Sequence, residues 1–124
     1  TKKLFGAARN VEGGGSLTMV ATVVTDTGMA MDDVVASEIS GAATMELALS
    51  ADAASARVFP AFDIARSGTR KEELILGSDQ AAAVASLRQK VVGVASVEGM
   101  QNLVAKLAGT STNVEALVAL PKSL

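Results

Sequence analysis

Neither cysteine nor histidine occurs among the 124 residues. Without cysteine there are no disulfides and no thiolate metal sites. Without histidine there is no Ser-His-Asp or Cys-His chemistry, and the usual zinc ligand sets are gone as well. Tryptophan and tyrosine are also absent and phenylalanine occurs three times, against 23 alanines and 15 valines. A core drawn from this composition has many small contacts and few large anchors. Chains of this length are already limited in the surface they can bury, so the expectation is modest stability alone and a missing neighbour. Eleven basic residues stand against thirteen acidic ones, a net charge of −2, which is no polycationic footprint for nucleic acid. If the chain serves RNA or DNA, most phosphate contacts lie elsewhere. There is no apolar run of about 18 residues and no signal-peptide pattern, so a soluble, cytoplasmic protein is expected. The chain opens at Thr1 without an initiator methionine, which fits a fragment as well as a processed chain.

What is present reads as strands first and helices after. "VEGGGS" is a turn at Gly13 to Gly15. "SLTMVATVVT", Ser16 to Thr25, is β-branched and apolar on both alternating faces, which predicts a strand covered on both sides. Asp32 or Asp33 is expected to cap a short helix that Gly41 ends. "TMELALS", Thr44 to Ser50, predicts a half-exposed strand with Met45, Leu47 and Leu49 inward. "ARVFPAFDI", Ala56 to Ile64, predicts an extended run that Pro60 confines to an edge. Helices follow from Ser78 or Asp79 to Gly93, from Ser96 to Gly109, and from a Thr112–Glu115 capping box to Pro121. The expected organisation is one partial domain, residues 1–76 strand-rich and 77–124 helical.

Three motifs bear on chemistry. No position fits the phosphate loop GxxxxGK[ST], and Gly13, Gly15 and Thr18 fail GxGxxG, so the chain has no nucleotide cradle of its own. "VVTDTG", ending at Gly28, resembles the catalytic turn of retroviral-type aspartic proteases, in which Asp26 would share a proton with its counterpart in a second chain. An ordinary turn at a strand end accounts for the same residues. "RSGTRKEEL" places Thr69 and Glu72 as a further capping box and leaves Arg70 and Lys71 in a first helical turn. Cations there oppose the helix dipole at a cost of about 0.3–1 kcal/mol each, so Arg70 asks for another explanation.

"FGAARNVEGGGSLTMVAT", "DTGMAMDDVV", "MELALS", "ARVFPAFD" and above all "RSGTRKEEL" occur in an order and spacing that resemble the C-terminal part of the Rho family of bacterial transcription termination factors. The likeness is specific from about Leu4 to Leu76 and continues to the C-terminus as a helical pattern. It implies an α/β fold, the C-terminal half of a RecA-like ATPase core with strands followed by a helical cap. It also implies an ATP site with Mg²⁺ shared between neighbouring identical subunits of a hexameric ring, and RNA drawn through the central hole. RNA would be bound through the parent protein, with RNA polymerase a further partner and no membrane involved.

By the same resemblance Arg70 is the arginine finger reaching the γ-phosphate held by the adjacent subunit. Arg57 is a second positive group near that interface, and Phe59 stacks on adenine. No metal ligand is assigned. The phosphate loop, the magnesium-holding carboxylate and the catalytic glutamate of the family lie outside this sequence, so the segment alone is expected to be inactive. "SADAASAR" is Ala-rich where the family has several charged residues. The alternatives are the dimeric aspartic protease using Asp26, and a non-catalytic interaction or assembly fragment.

Overall fold

The computed structural model describes residues 2–92 and 96–123. Its contacts gather into two units, Thr1–Thr44 and Met45–Leu124. The architecture is mixed α and β: helices dominate, and the described strands form two antiparallel two-stranded sheets.

In the first unit, helix α1 (Lys2–Phe5) leads into strands β1 (Arg9–Asn10) and β2 (Ser16–Leu17), with Arg9 opposite Leu17 and Asn10 opposite Ser16. The glycine run closes this hairpin as expected. Gly14 N–H donates to Val11 O and Val11 N–H to Gly15 O, both at 3.0 Å. Gly13 turns at φ 68°, a conformation that only glycine adopts without strain.

The long covered strand expected over Ser16 to Thr25 stops at Leu17. A strand needs partners for its backbone donors and acceptors, and within this unit the pairing ends with the hairpin. Residues 18–24 therefore carry no regular structure, and Val20 is 91% exposed.

Helix α2 (Ala30–Ser40) begins ahead of both aspartates. The Thr27 hydroxyl accepts from the Met29 amide at 3.2 Å and donates to Asp32 Oδ2 at 2.7 Å. Asp32 and Asp33 thus occupy the first turn, where they complement the dipole, and do not cap. The helix ends before Gly41, as expected. A surface pair, Lys2 Nζ to Glu38 Oε2 at 3.1 Å, ties α1 to α2.

The second unit opens with β3 (Met45–Glu46), paired antiparallel to β4 (Gly68–Thr69), Met45 opposite Thr69 and Glu46 opposite Gly68. An isolated bridge joins Leu49 to Phe62. The strand expected from Thr44 to Ser50 is cut short, and its supposedly inward side chains face water: Leu49 is 76% exposed. Among the described residues of this unit none covers that face.

Helix α3 (Ala51–Ser55) precedes Ala56, and the extended run expected from Ala56 to Ile64 is broken by turns, with Phe62 alone in a bridge. The N-cap of α3 is Ser50, whose hydroxyl accepts from the Ala53 amide at 3.1 Å. An Ala-rich stretch after a serine is a good helix start, and the small Ala53 lets α3 seat closely, at 1% exposure.

Helices α4 (Ser78–Val92), α5 (Ser96–Leu107) and α6 (Asn113–Ser123) complete the unit, α4 packing on α5 and α6, and α3 on α5. The core is Ala53, Val58, Met100, Leu103, Ala116 and Leu120, with Phe62, Ile64, Leu87 and Val104 packed against it. Met100 and Leu103 of α5 lie in this cluster. The stop assigned to Gly93 lies outside the described residues.

The last capping box forms with a shift. Thr112 Oγ1 accepts from the Glu115 amide at 3.2 Å, while Glu115 Oε2 reaches back to the Ser111 amide at 2.8 Å. Pro121 does not end α6, which runs to Ser123. The buried Ala116 and Leu120 anchor the turns that lead into it. No helix among the described residues is long and apolar enough to cross a membrane.

Candidate functional site

The segment from Asp63 to Lys71 carries the sequence singled out for chemistry, and hydrogen bonds inside the second unit define it closely. Asp63 Oδ1 accepts from the amides of Ala65 at 2.9 Å and Arg66 at 3.2 Å. Such capping by an aspartate favours a tight turn. The Ser67 amide donates back to Asp63 O at 3.0 Å, and the Ser67 hydroxyl donates to the same carbonyl.

Ser67 Oγ also accepts from the Ala48 amide at 3.0 Å, and the Asp63 amide donates to Ala48 O at 2.8 Å. The turn is thereby stitched to the chain leaving β3. From α4, Arg88 Nη1 donates to Ile64 O at 3.1 Å and to Ser67 O. Gly68 and Thr69 then pair with β3, and Arg70 follows immediately.

This corrects the helix start read at Thr69. Thr69 is a strand residue and the helical turn starts only at Glu72, with Lys71 in the N-cap position, so the Thr69–Glu72 capping box does not form. Lys71 stands in the left-handed region at φ 52° ahead of a short 3₁₀ turn, Glu72–Leu74, with no side-chain cap. Pairing with β3 wins because it satisfies backbone groups of both chains, whereas the cap would have satisfied only local ones. Arg70 therefore faces no opposing helix dipole, and its placement has to be explained by what it can reach.

Its guanidinium lies on the surface: Nη2 is 3.8 Å from Glu46 Oε1, and the two side chains are 56% and 44% exposed. Half-exposed pairs of this kind contribute about 0–1 kcal/mol.

Arg57 and Phe59 belong to another turn, the one that ends α3. The Arg57 amide donates to Ala54 O at 3.0 Å and the Val58 amide to Ala53 O at 2.9 Å. Together these bonds make a Schellman ending, with Val58 and Ala53 in one apolar contact cluster. The position that normally holds glycine in such an ending holds Arg57, at φ 59°.

An L-residue there costs about 1–2 kcal/mol, and glycine's extra chain entropy returns about 0.5–1 kcal/mol of that. Arg57→Gly is accordingly expected to raise the stability of the fold by up to about 1 kcal/mol, measured by urea unfolding followed by far-UV circular dichroism. Phe59 follows the buried Val58 and precedes Pro60 through a cis peptide bond, its ring 59% exposed. The structure thus places Arg57 and Phe59 on one exposed turn and Arg70 on a second.

Asp26 is exposed in a turn at φ 60°, accepting from the Thr25 hydroxyl at 3.2 Å. Sequence reasoning missed Asp63, Ser67 and Arg88. For Asp63 a signal existed, an aspartate opening a polar turn. For Arg88 none did, because its partners lie 21 and 24 residues away in the chain.

Comparison with known proteins bears on these turns. No protein-family model matches the chain. The transcription termination factor Rho of Buchnera aphidicola subsp. Baizongia pistaciae is 51% identical over 114 residues, covering 92% of this chain. That of Escherichia coli K12 is 49% identical over 112 residues, covering 90%. That of Streptomyces lividans is 43% identical over 122 residues, covering 98%.

The chain matches a fragment of Rho. It spans 27% of the Buchnera and E. coli proteins and 17% of the Streptomyces one. Likeness to Rho runs over nine-tenths of the chain, and neither the aspartic-protease alternative nor the assembly fragment gains support.

Proposed function

We propose that this segment forms the arginine-bearing side of an ATP site shared between adjacent subunits of a Rho-like hexameric ring, an RNA-dependent ATPase and translocase acting in transcription termination. The observation that carries the reading is an exposed Arg70 guanidinium at the end of a tightly bonded loop, in a chain 43–51% identical to proteins named Rho. Within such a ring the segment completes a RecA-like core whose phosphate loop lies in another part of the polypeptide.

The residues present fit the outer side of a nucleotide. Arg70 offers a planar, permanently charged donor set suited to phosphate oxygens. Phe59 offers an exposed ring face for a base. Arg57, in its left-handed turn, offers a second cation. Mg²⁺ would be held by carboxylates elsewhere in the ring. ATP supplies a transferable γ-phosphoryl group whose negative charge spreads over its equatorial oxygens during hydrolysis.

Arg70 donates hydrogen bonds toward those oxygens from the neighbouring subunit, exchanging its weak pairing with Glu46 for a stronger one. Because donor and cradle sit on different subunits, turnover depends on assembly. The segment alone does not hydrolyse ATP.

The test is a chimera in which this chain replaces the matched segment of the E. coli protein. RNA-stimulated ATP hydrolysis and termination on a purified template are the expected outcome, with no turnover from the isolated chain. An assembled chimeric ring that binds ATP and RNA yet hydrolyses nothing would count against the reading.

A further inference from the structure

Arg70 can serve a neighbour's nucleotide only if its backbone is held in place, and the 63–68 turn that leads to it is bonded to the rest of its unit from two sides. Ala48 holds it from the β3 side, through Asp63 N–H and Ser67 Oγ. On the opposite side the half-buried Arg88 of α4 reaches the carbonyls of Ile64 and Ser67 with a single nitrogen, Nη1.

Its guanidinium lies along the Gly68 backbone, so that a β-carbon built on Gly68 would stand 3.7 Å from Nη1. Those two carbonyls flank the turn. Left without a donor they would have to be satisfied by water, which would let the turn open.

We propose that Arg88 is a positioning residue: it clamps the Ile64–Ser67 turn to α4 and thereby fixes the point from which Arg70 projects. This deepens the function proposed above and rests on it for the role of Arg70. Arg88 itself touches no substrate. Its charge matters because charge-assisted bonds to carbonyls are stronger than neutral ones, and the link it makes is long-range, from a helix to the side of the loop that faces away from β3. The consequence is a defect in geometry without loss of the fold: ATP is bound as before and turned over slowly.

Two arms test this. On the isolated chain, amide hydrogen exchange is compared between the parent sequence and Arg88→Met, which keeps the aliphatic length and removes the donors. Exchange at Ser67 and Ala48 is expected to quicken by about tenfold, with Leu103 and Val104 in α5 unchanged. Unchanged exchange at Ser67, or equal quickening throughout α5, would overturn the clamp.

In the chimeric ring, Arg88→Met is expected to lower kcat by about tenfold with KM for ATP within about twofold, and Arg88→Lys to recover part of the loss. The double variant Arg70→Ala/Arg88→Met should be no slower than Arg70→Ala alone. If the two losses multiply, or Arg88→Met leaves kcat intact while Arg70→Ala abolishes it, Arg88 does not act through Arg70. If Arg70→Ala itself turns over normally, the finger reading fails by that result alone. The exchange arm then still decides whether Arg88 holds the turn, and it does so whether or not the chimera assembles.

Discussion

Arg70→Ala in the chimeric ring is expected to lower RNA-stimulated ATP turnover by about 10³–10⁵-fold while nucleotide and RNA binding stay largely in place. The size follows from what a guanidinium supplied in trans contributes to phosphoryl transfer, roughly 4–7 kcal/mol at about 1.36 kcal/mol per decade of rate. The local ion pair is far weaker. The Glu46 pair, 3.8 Å long and half exposed, is of the class contributing about 0–1 kcal/mol. No opposing dipole has to be added, since Arg70 follows a strand.

Removing Arg70 therefore leaves the fold nearly unchanged, and the loss is read in kcat. Arg70→Lys separates shape from charge: an ammonium keeps the charge but loses the planar fork, so most of the defect should persist. Stopped assays of turnover at saturating ATP, with binding measured separately, make the distinction. Near-normal turnover in Arg70→Ala would refute the assignment.

The helical part of the second unit was legible because its signals are local. Val84, Leu87 and Val91 recur at helical spacing along α4, Met100 and Leu103 along α5, and Thr112 with Glu115 marks the start of α6. The same holds for the glycine hairpin in the first unit. Strands were read less well, since a strand is stabilised by a partner that its own sequence does not name.

Ser16 to Thr25 has the composition of a doubly covered strand, yet only Ser16 and Leu17 find a partner within their unit. Met45, Leu47 and Leu49 alternate as a buried face would, and all three are exposed. Thr69 carried a true capping pattern that pairing with Met45 pre-empted.

For the candidate site, "RSGTR" was visible as a motif, but the devices that shape it were not. Asp63 and Ser67 act through backbone groups, and Arg88 arrives from a helix. Each depends on tertiary closure. The left-handed setting of Arg57 was hidden for a related reason, because a helix ending normally announces itself by glycine.

Met100→Ala should be the most disruptive core substitution in the second unit. Met100 is 2% exposed, in a cluster whose other members include the small residues Ala53 and Ala116. Its large neighbours, Phe62, Leu87, Leu103 and Leu120, already belong to the same packing, so filling the space it leaves would draw them from other contacts.

Deleting a buried methionine to alanine removes its transfer free energy and leaves a cavity, together about 2–5 kcal/mol. Small domains hold only about 5–15 kcal/mol in total, and a core of small residues places this one toward the lower end. The variant should therefore be largely unfolded at 37 °C as an isolated chain. Helices α3, α5 and α6 would lose their packing together, because Ala53, Leu103, Ala116 and Leu120 share the cluster.

Far-UV circular dichroism in urea reads this directly, tryptophan fluorescence being excluded by the composition. Val20→Ser is the control: at 91% exposure it should shift the midpoint negligibly. Met100→Leu, close in volume, should cost less than about 1.5 kcal/mol. If Met100→Ala unfolds at the parent midpoint, the cluster around it is not what holds the second unit together, and the loop carrying Arg70 would have to be supported by other contacts.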